Sequence, residues 1–303
     1  MLKETWQEFS TDQSMRSAAA LSYYTVFALP PLLVLTLMLV GTFADSTAAQ
    51  TAIVEQARAN IGPEGADAVA AMMRNAARPG GGGVLPTVLS LAALVFGATG
   101  AFVQLQGALN TAWEVGPADG GGMRGFFMKR VLSFGMILGV AFLLLVSMVL
   151  STVLSMAAGA IAGWLPAGVS SGFLWAVDLA LSMAVITLLF AALFKILPDA
   201  RIGWRDVWMG AAATGALFVV GKFLLGLYIG RSDPGSAYGA AGSLAVMLVW
   251  IYYSSIILLL GAEFTQVWAR RRGRRIAPAE GAVRVEKVRR RAGGPSGSSA
   301  PAG

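Results

Sequence analysis

The sequence predicts an all-α polytopic membrane protein with six transmembrane helices and both termini in the cytoplasm. Two observations carry the class. Of 303 residues, 56% are hydrophobic and only 13% are charged, against about 25% charged in an ordinary soluble domain. The charges also leave long gaps: none falls between Arg16 and Asp45, Arg78 and Glu114, Arg130 and Asp178, or Asp233 and Glu263. Each gap exceeds the ~20 apolar residues that a spanning helix needs. A third observation, the distribution of lysine and arginine, sets the orientation.

The spans are expected at Leu21–Phe43, Val84–Gln106, Val131–Met156, Phe173–Leu197, Val207–Ile229 and Ala240–Trp268. Lys3 and Arg16 precede the first span. Arg124, Lys129 and Arg130 lie in the second connection, and Lys195, Arg201 and Arg205 lie in the fourth. Ten more basic residues, Arg270 to Arg291, follow the sixth. The other side has Arg58, Arg74, Arg78 and Arg231, with Lys222 inside a span. Basic connections stay in the cytoplasm, so this bias places the termini there.

Residues 1–20 read as a cytoplasmic interfacial helix, with Trp6 and Phe9 set among charges. Residues 21–268 form the membrane domain. Within it, the external amphipathic segment 45–80 repeats apolar residues at helical spacing: Ile53, Val54, Ala57 and Ile61, then Val69, Met72, Met73 and Ala76. Gly62-Pro63 is expected to divide it into two short helices that cap the bundle or lie on the interface. Gly80–Gly83 links it to the second span.

Residues 269–303 read as a basic, disordered cytoplasmic tail. Ten bases face two acids there, Glu280 and Glu286, so the chain's pI near 10.0 belongs largely to the tail. No aromatic residue follows Trp268 to stack on bases. The tail is therefore expected to touch anionic lipid head groups, at ~1 kcal/mol per basic residue, and no nucleic-acid partner is expected.

The chain has no histidine and no cysteine. That excludes thiol nucleophiles, disulfides, Cys/His zinc sites and imidazole acid–base catalysis. No cofactor or metal is expected, and no Walker A pattern is present to bind ATP. The start, Lys3 to Arg16, is polar and does not read as a cleavable signal peptide.

Three features could carry function. Charge inside a bilayer costs ~2.5–3.5 kcal/mol at a helix centre, so Asp178 and Lys222 stand out. They are expected at matched depth on adjacent spans, either as a polar cavity where Lys222 attracts an anionic group or as a structural pair; a lysine reaching outward along its own stem is the other alternative. Glu263 near the inner end of span six is expected to form a structural ion pair with Lys195, Arg201 or Arg205, with Gln104, Gln106 and Asn110 as neutral neighbours. Pro30-Pro31 is expected to break or kink the first span, since proline removes a helical hydrogen bond. The spacings Gly135/Gly139 and Gly159/Gly163 would suit close helix contact.

Several ordered stretches resemble the YihY/virulence factor BrkB family of bacterial inner-membrane proteins. They are Phe194-Lys195-Ile196-Leu197-Pro198 with Arg201, Trp204 and Gly210, then Lys222 through Tyr228. Tyr238-Gly239 precedes Trp250-Ile251-Tyr252-Tyr253 and Gly261-Ala262-Glu263-Phe264. Ala20-Leu21-Ser22-Tyr23-Tyr24 leads into Pro30-Pro31-Leu32-Leu33. The likeness covers about residues 5–270 and leaves the tail uncovered. It implies six helices with cytoplasmic termini. Members are associated with serum resistance or envelope lipid export, and were once labelled ribonuclease BN.

The expectation is a protein that moves or exports an anionic lipid or other amphiphilic envelope component. A scaffold for envelope assembly is the alternative. Ribonuclease activity finds no support, because the cytoplasmic acids Glu114, Asp119, Asp199, Asp206 and Glu263 are scattered and histidine is absent. An enzyme is not expected, and a homo-oligomer is left open.

Overall fold

An amphipathic start followed by uncharged stretches produces one short helix and then long ones. The computed structural model describes residues 1–41, 46–76, 84–117, 167–232, 242–274 and 276–285. Helix α1 is Leu2–Thr11, α2 Ser14–Gly41, α3 Ser46–Ala76 and α4 Val84–Ala112. Helix α5 is Ala167–Ile196, α6 Trp204–Ser232 and α7 Gly242–Arg271. Four short strands sit among them: β1 Val115–Pro117, β2 Ala200–Arg201, β3 Ala277–Pro278 and β4 Ala282–Arg284. The expected third span, Val131–Met156, lies outside the described residues, as do both Gly-x-x-x-Gly spacings and the Gly80–Gly83 link. Among the described residues, Trp204–Tyr228 and Leu244–Arg271 are long and apolar enough to cross a membrane.

Helix α1 buries Thr5, Glu8 and Phe9 and exposes Leu2 and Trp6. The expected interfacial helix extends to residue 20, but α1 stops at Thr11. Gln13 takes a left-handed backbone (φ 53°), a conformation that ends a helix for a residue with a Cβ. Ala18 belongs instead to α2, fully buried in the core.

The long helices meet through small residues. Helices α2 and α4 run antiparallel, with Gly97 over the Ala28 backbone and Gly100 under the Tyr24 ring. A Cβ at Gly97 would lie 3.1 Å from Ala28 Cα. Helices α6 and α7 share a reciprocal seam. Each carries glycine and threonine four residues apart, Gly210/Thr214 and Gly261/Thr265. Thr265 fills the space over Gly210, and Thr214 fills the space over Gly261. Each threonine hydroxyl donates to the glycine carbonyl one turn back, Thr214 to Gly210 at 2.7 Å and Thr265 to Gly261 at 2.7 Å. The donors are thereby satisfied without water, although each hydroxyl oxygen is the threonine atom nearest the partner glycine.

A line of rings crosses the same helices. Trp113 meets Phe194 at 5.8 Å, Phe190 meets Phe218 at 5.8 Å, and Phe218 meets Trp250 at 6.2 Å. Edge contacts of this kind contribute about 0.5–1.5 kcal/mol each beyond burial. They belong to the principal core, with Phe9, Leu109, Ile202, Val207 and Leu259.

Helix α3 departs from expectation twice. It is one helix through Gly62-Pro63, with Pro63 inside it. It also packs against the bundle: Ala68, Val69 and Met73 join Val26 of α2 and Met247 of α7, flanked by Leu29, Leu33 and Ile251. Ile53, Val54 and Ala57 pack against the same cluster. Both halves of the helix are therefore held by neighbours, and this packing overrides the local cost of the proline. Helix α2 likewise runs as one helix from Ser14 to Gly41 through Pro30-Pro31.

The expected disordered tail forms strands where it is described. β4 pairs antiparallel with β1, Val115 opposite Arg284, and β3 pairs with β2, Ala200 opposite Pro278. The tail thus ties the connection after α4 to the connection between α5 and α6. Backbone groups that the two loops leave unpaired supply the partners.

The seam makes a prediction. Gly261→Ala should cost about 1–3 kcal/mol, the usual range for overpacking, and lower the melting temperature in detergent. Adding Thr214→Gly should restore part of the loss. Equal melting temperatures for Gly261→Ala and the unaltered protein would show that the seam is loose.

Candidate functional site

Two places gather polar groups: the end of the bundle that carries the termini, and the interior of the α5–α6 hairpin. At the terminal end, Asp199 follows the Ile196 end of α5. Asn110 Nδ2 donates to its Oδ2 at 3.0 Å, Gln106 Nε2 donates to the same oxygen at 3.3 Å, and the Asp199 amide donates to Asn110 Oδ1 at 2.8 Å. Ala279 N then donates to the Asp199 carbonyl at 2.9 Å. One residue thus joins α4, the α5–α6 connection and the tail. Gln106 and Asn110 face Asp199, where the sequence reading places them beside Glu263.

Further pairs complete this end. Arg274 approaches the buried Asp206 carboxylate at 3.2 Å, and Asp206 stands in the first turn of α6, where the helix dipole favours an acid. Arg284 meets Glu114 at 3.2 Å, and Val285 N donates to the Glu114 carbonyl at 2.9 Å. Glu114 itself closes α4 with a left-handed backbone (φ 56°).

Glu263 is fully buried on α7. Ser14 Oγ donates to its Oε1 at 3.5 Å, which anchors the start of α2 to α7. The bases expected to lock it have other contacts. Lys195 Nζ donates to the Ile202 carbonyl and sits 5.3 Å from the centre of the Trp204 ring. Arg201 meets Glu280 at 2.8 Å on the surface, and Arg205 is exposed. Lys195 and Arg201 therefore organise the loop and the tail, a role invisible while the tail reads as disordered.

Helix α1 docks on the end of α7 through charge. Arg270 reaches Glu4 at 2.7 Å and Glu8 at 3.1 Å, and Arg271 reaches Glu4 at 2.8 Å. The Arg270 and Arg271 guanidiniums hold the Glu4 carboxyl below its ordinary value, the hydrogen bond from Arg270 first.

In the hairpin, Thr187 of α5 lies over Gly215 of α6, so the two helices run antiparallel. Asp178 and Lys222 are equidistant in sequence from Ala200 at the centre of the turn, which places their backbones at similar levels. The side chain of Asp178 lies outside the described residues. Lys222 is half-buried within the Trp204–Tyr228 span, beside Gly221, which packs against Tyr253 of α7. Phe223 and Leu224 beside it are exposed. Pro30 is half-buried within the continuous α2.

Long apolar helices joined by small-residue contacts, with charge sorted to the helix ends, define a helical membrane protein. The comparison with known families makes the assignment specific: the Virulence factor BrkB family matches residues 5–285, and the chain belongs to it. The match runs past residue 270, the limit of the likeness read from sequence, to the residue that follows β4. A "UPF0761 membrane protein" of Pseudomonas aeruginosa (strain LESB58) is 30% identical over 297 residues, covering 94% of this chain and 68% of the relative. A "UPF0761 membrane protein" of Stenotrophomonas maltophilia (strain R551-3) is 26% identical over 268 residues, covering 87% and 59%. No solved structure matches the chain.

The α1 contact predicts a pH response. A depressed folded-state value means that the Glu4 contribution is complete above about 4.5, the ordinary value, and is lost as pH falls through the lower folded value. Hydrogen exchange across Leu2–Thr11, corrected for intrinsic rate, should accelerate in that acid window. Glu4→Gln should show fast exchange already at neutral pH. Protection unchanged by the substitution would remove the ion pairs from the docking account.

Proposed function

We propose that this protein moves an anionic lipid or another anionic amphiphile of the bacterial envelope across the plasma membrane, with both termini in the cytoplasm. Lys222 carries the reading. A half-buried ammonium inside a span costs free energy, and an anionic head group would offset that cost. Asp178, at a similar backbone level on α5, supplies the counter-charge that holds the lysine when the head group leaves. The basic bias toward the termini supports the orientation.

The head group would meet Lys222 from the outer half of the bundle, beside the exposed Phe223 and Leu224. Acyl chains would remain against that apolar surface. Such division of an amphiphile needs no cofactor and no covalent chemistry, and no enzymatic step is proposed.

Lipids retained by the gently purified protein test this reading by mass spectrometry. One anionic class should be enriched over the bulk membrane and fall about tenfold in Lys222→Ala, the loss of about 1.4 kcal/mol expected for one charge-assisted contact. Lys222→Arg should retain it. Retained lipid matching the bulk membrane in all three samples would contradict transport through Lys222 and favour a scaffold.

A further inference from the structure

Helix α3 buries apolar residues against the bundle and leaves charged ones open. Asp67 and Arg74, seven residues apart on one face, are exposed, and on another side Glu55 and Arg58 form an open pair at 3.6 Å, their side chains 65% and 48% exposed. An ordinary surface helix would show the same pattern. The level of α3 in the bundle distinguishes this one.

Ala68, Val69 and Met73 pack in one cluster with Val26 and Met247, alongside Leu29 and Ile251. Val26 stands twelve residues from the Ser14 end of α2 and fifteen from the Gly41 end, about 18 and 22 Å at 1.5 Å per residue. Ile251 lies nine residues inside α7, about 14 Å from its Gly242 end. The second half of α3 therefore belongs to a cluster that extends from Met247, five residues or about 8 Å inside the Gly242 end of α7, to the level of Val26 and Ile251. The seven residues between Ala76 and Val84 can reach about 28 Å, enough to return the chain to the start of α4.

Two charges, Asp67 and Arg74, exposed to hydrocarbon at that level would cost about 5 kcal/mol together, a large part of the stability of a typical domain. The long arginine could reach sideways toward an interface. Asp67 could not, because its carboxylate sits one methylene from the backbone. Its exposed side chain requires water at that level.

We propose that α3 forms one wall of a water-filled vestibule, open on the face opposite the termini and reaching below the head groups there. Asp67 and Arg74 line it. The vestibule rests on the placement of α3 alone and stands whether or not Lys222 binds lipid.

The absence of native cysteine makes a direct test available. Single variants Asp67→Cys, Arg74→Cys, Ala68→Cys and Met73→Cys are treated in sealed membrane vesicles with a sulfonated, membrane-impermeant maleimide. Ser10→Cys on the exposed side of α1 marks the terminal side. Asp67→Cys and Arg74→Cys should label from the side opposite Ser10→Cys, to at least half the level reached after denaturation. Ala68→Cys and Met73→Cys should label only after denaturation. Either polar-face variant alone tests that face should the other fail to insert.

Silence of the polar-face variants until denaturation would overturn the vestibule, and oxidative crosslinking of Asp67→Cys between chains would assign that face to a second copy. Equal labelling of both faces would place α3 outside the bilayer and overturn it too.

Discussion

The absence of water inside a bilayer is the constraint on which this structure depends. Every buried donor and acceptor needs a partner from the chain itself, and apolar helices gain little from the hydrophobic effect when lipid surrounds them. The seam between α6 and α7 meets both demands with two residues on each helix. Glycine permits close approach, while threonine fills the gap and returns its hydroxyl to its own backbone. Ser255 uses the same device, donating to the Ile251 carbonyl at 2.8 Å.

The same constraint sorts charge to the helix ends. Acids at the terminal end are held by neighbours: Asp199 by two amides, Asp206 by Arg274, and Glu4 and Glu8 by Arg270. The tail is part of this arrangement, since its strands close the two loops at that end. That explains why the family match continues to residue 285, beyond the last membrane helix. Charge that remains deeper, at Lys222 and along α3, then calls for a role.

Uncharged runs between Arg16 and Asp45, Arg78 and Glu114, and Asp233 and Glu263 located α2, α4 and α7, because length and apolarity are direct requirements of a span, although α2 begins seven residues before and α4 ends six residues after the expected span. The family was legible in ordered motifs such as Gly261-Ala262-Glu263-Phe264. Glu263 read as structural from its type and depth, but its Ser14 contact joins residues 249 apart in sequence, and no local pattern reports that. Gly62-Pro63 misled because it is a local breaking signal, overruled by packing in α3. The strands were invisible because each has two or three residues, too few to alternate. The Asp199 node could have been suspected from three amide and carboxylate side chains near helix ends, yet pairing them requires knowing that the tail returns.

The level of α3 relative to lipid tests the account most directly. An experimental density map of the protein in a lipid nanodisc should place Ala68, Val69 and Met73 below the head groups opposite the termini, with solvent density along Asp67 and Arg74. A map with the whole of α3 above those head groups, or with acyl chains against Asp67, would contradict it.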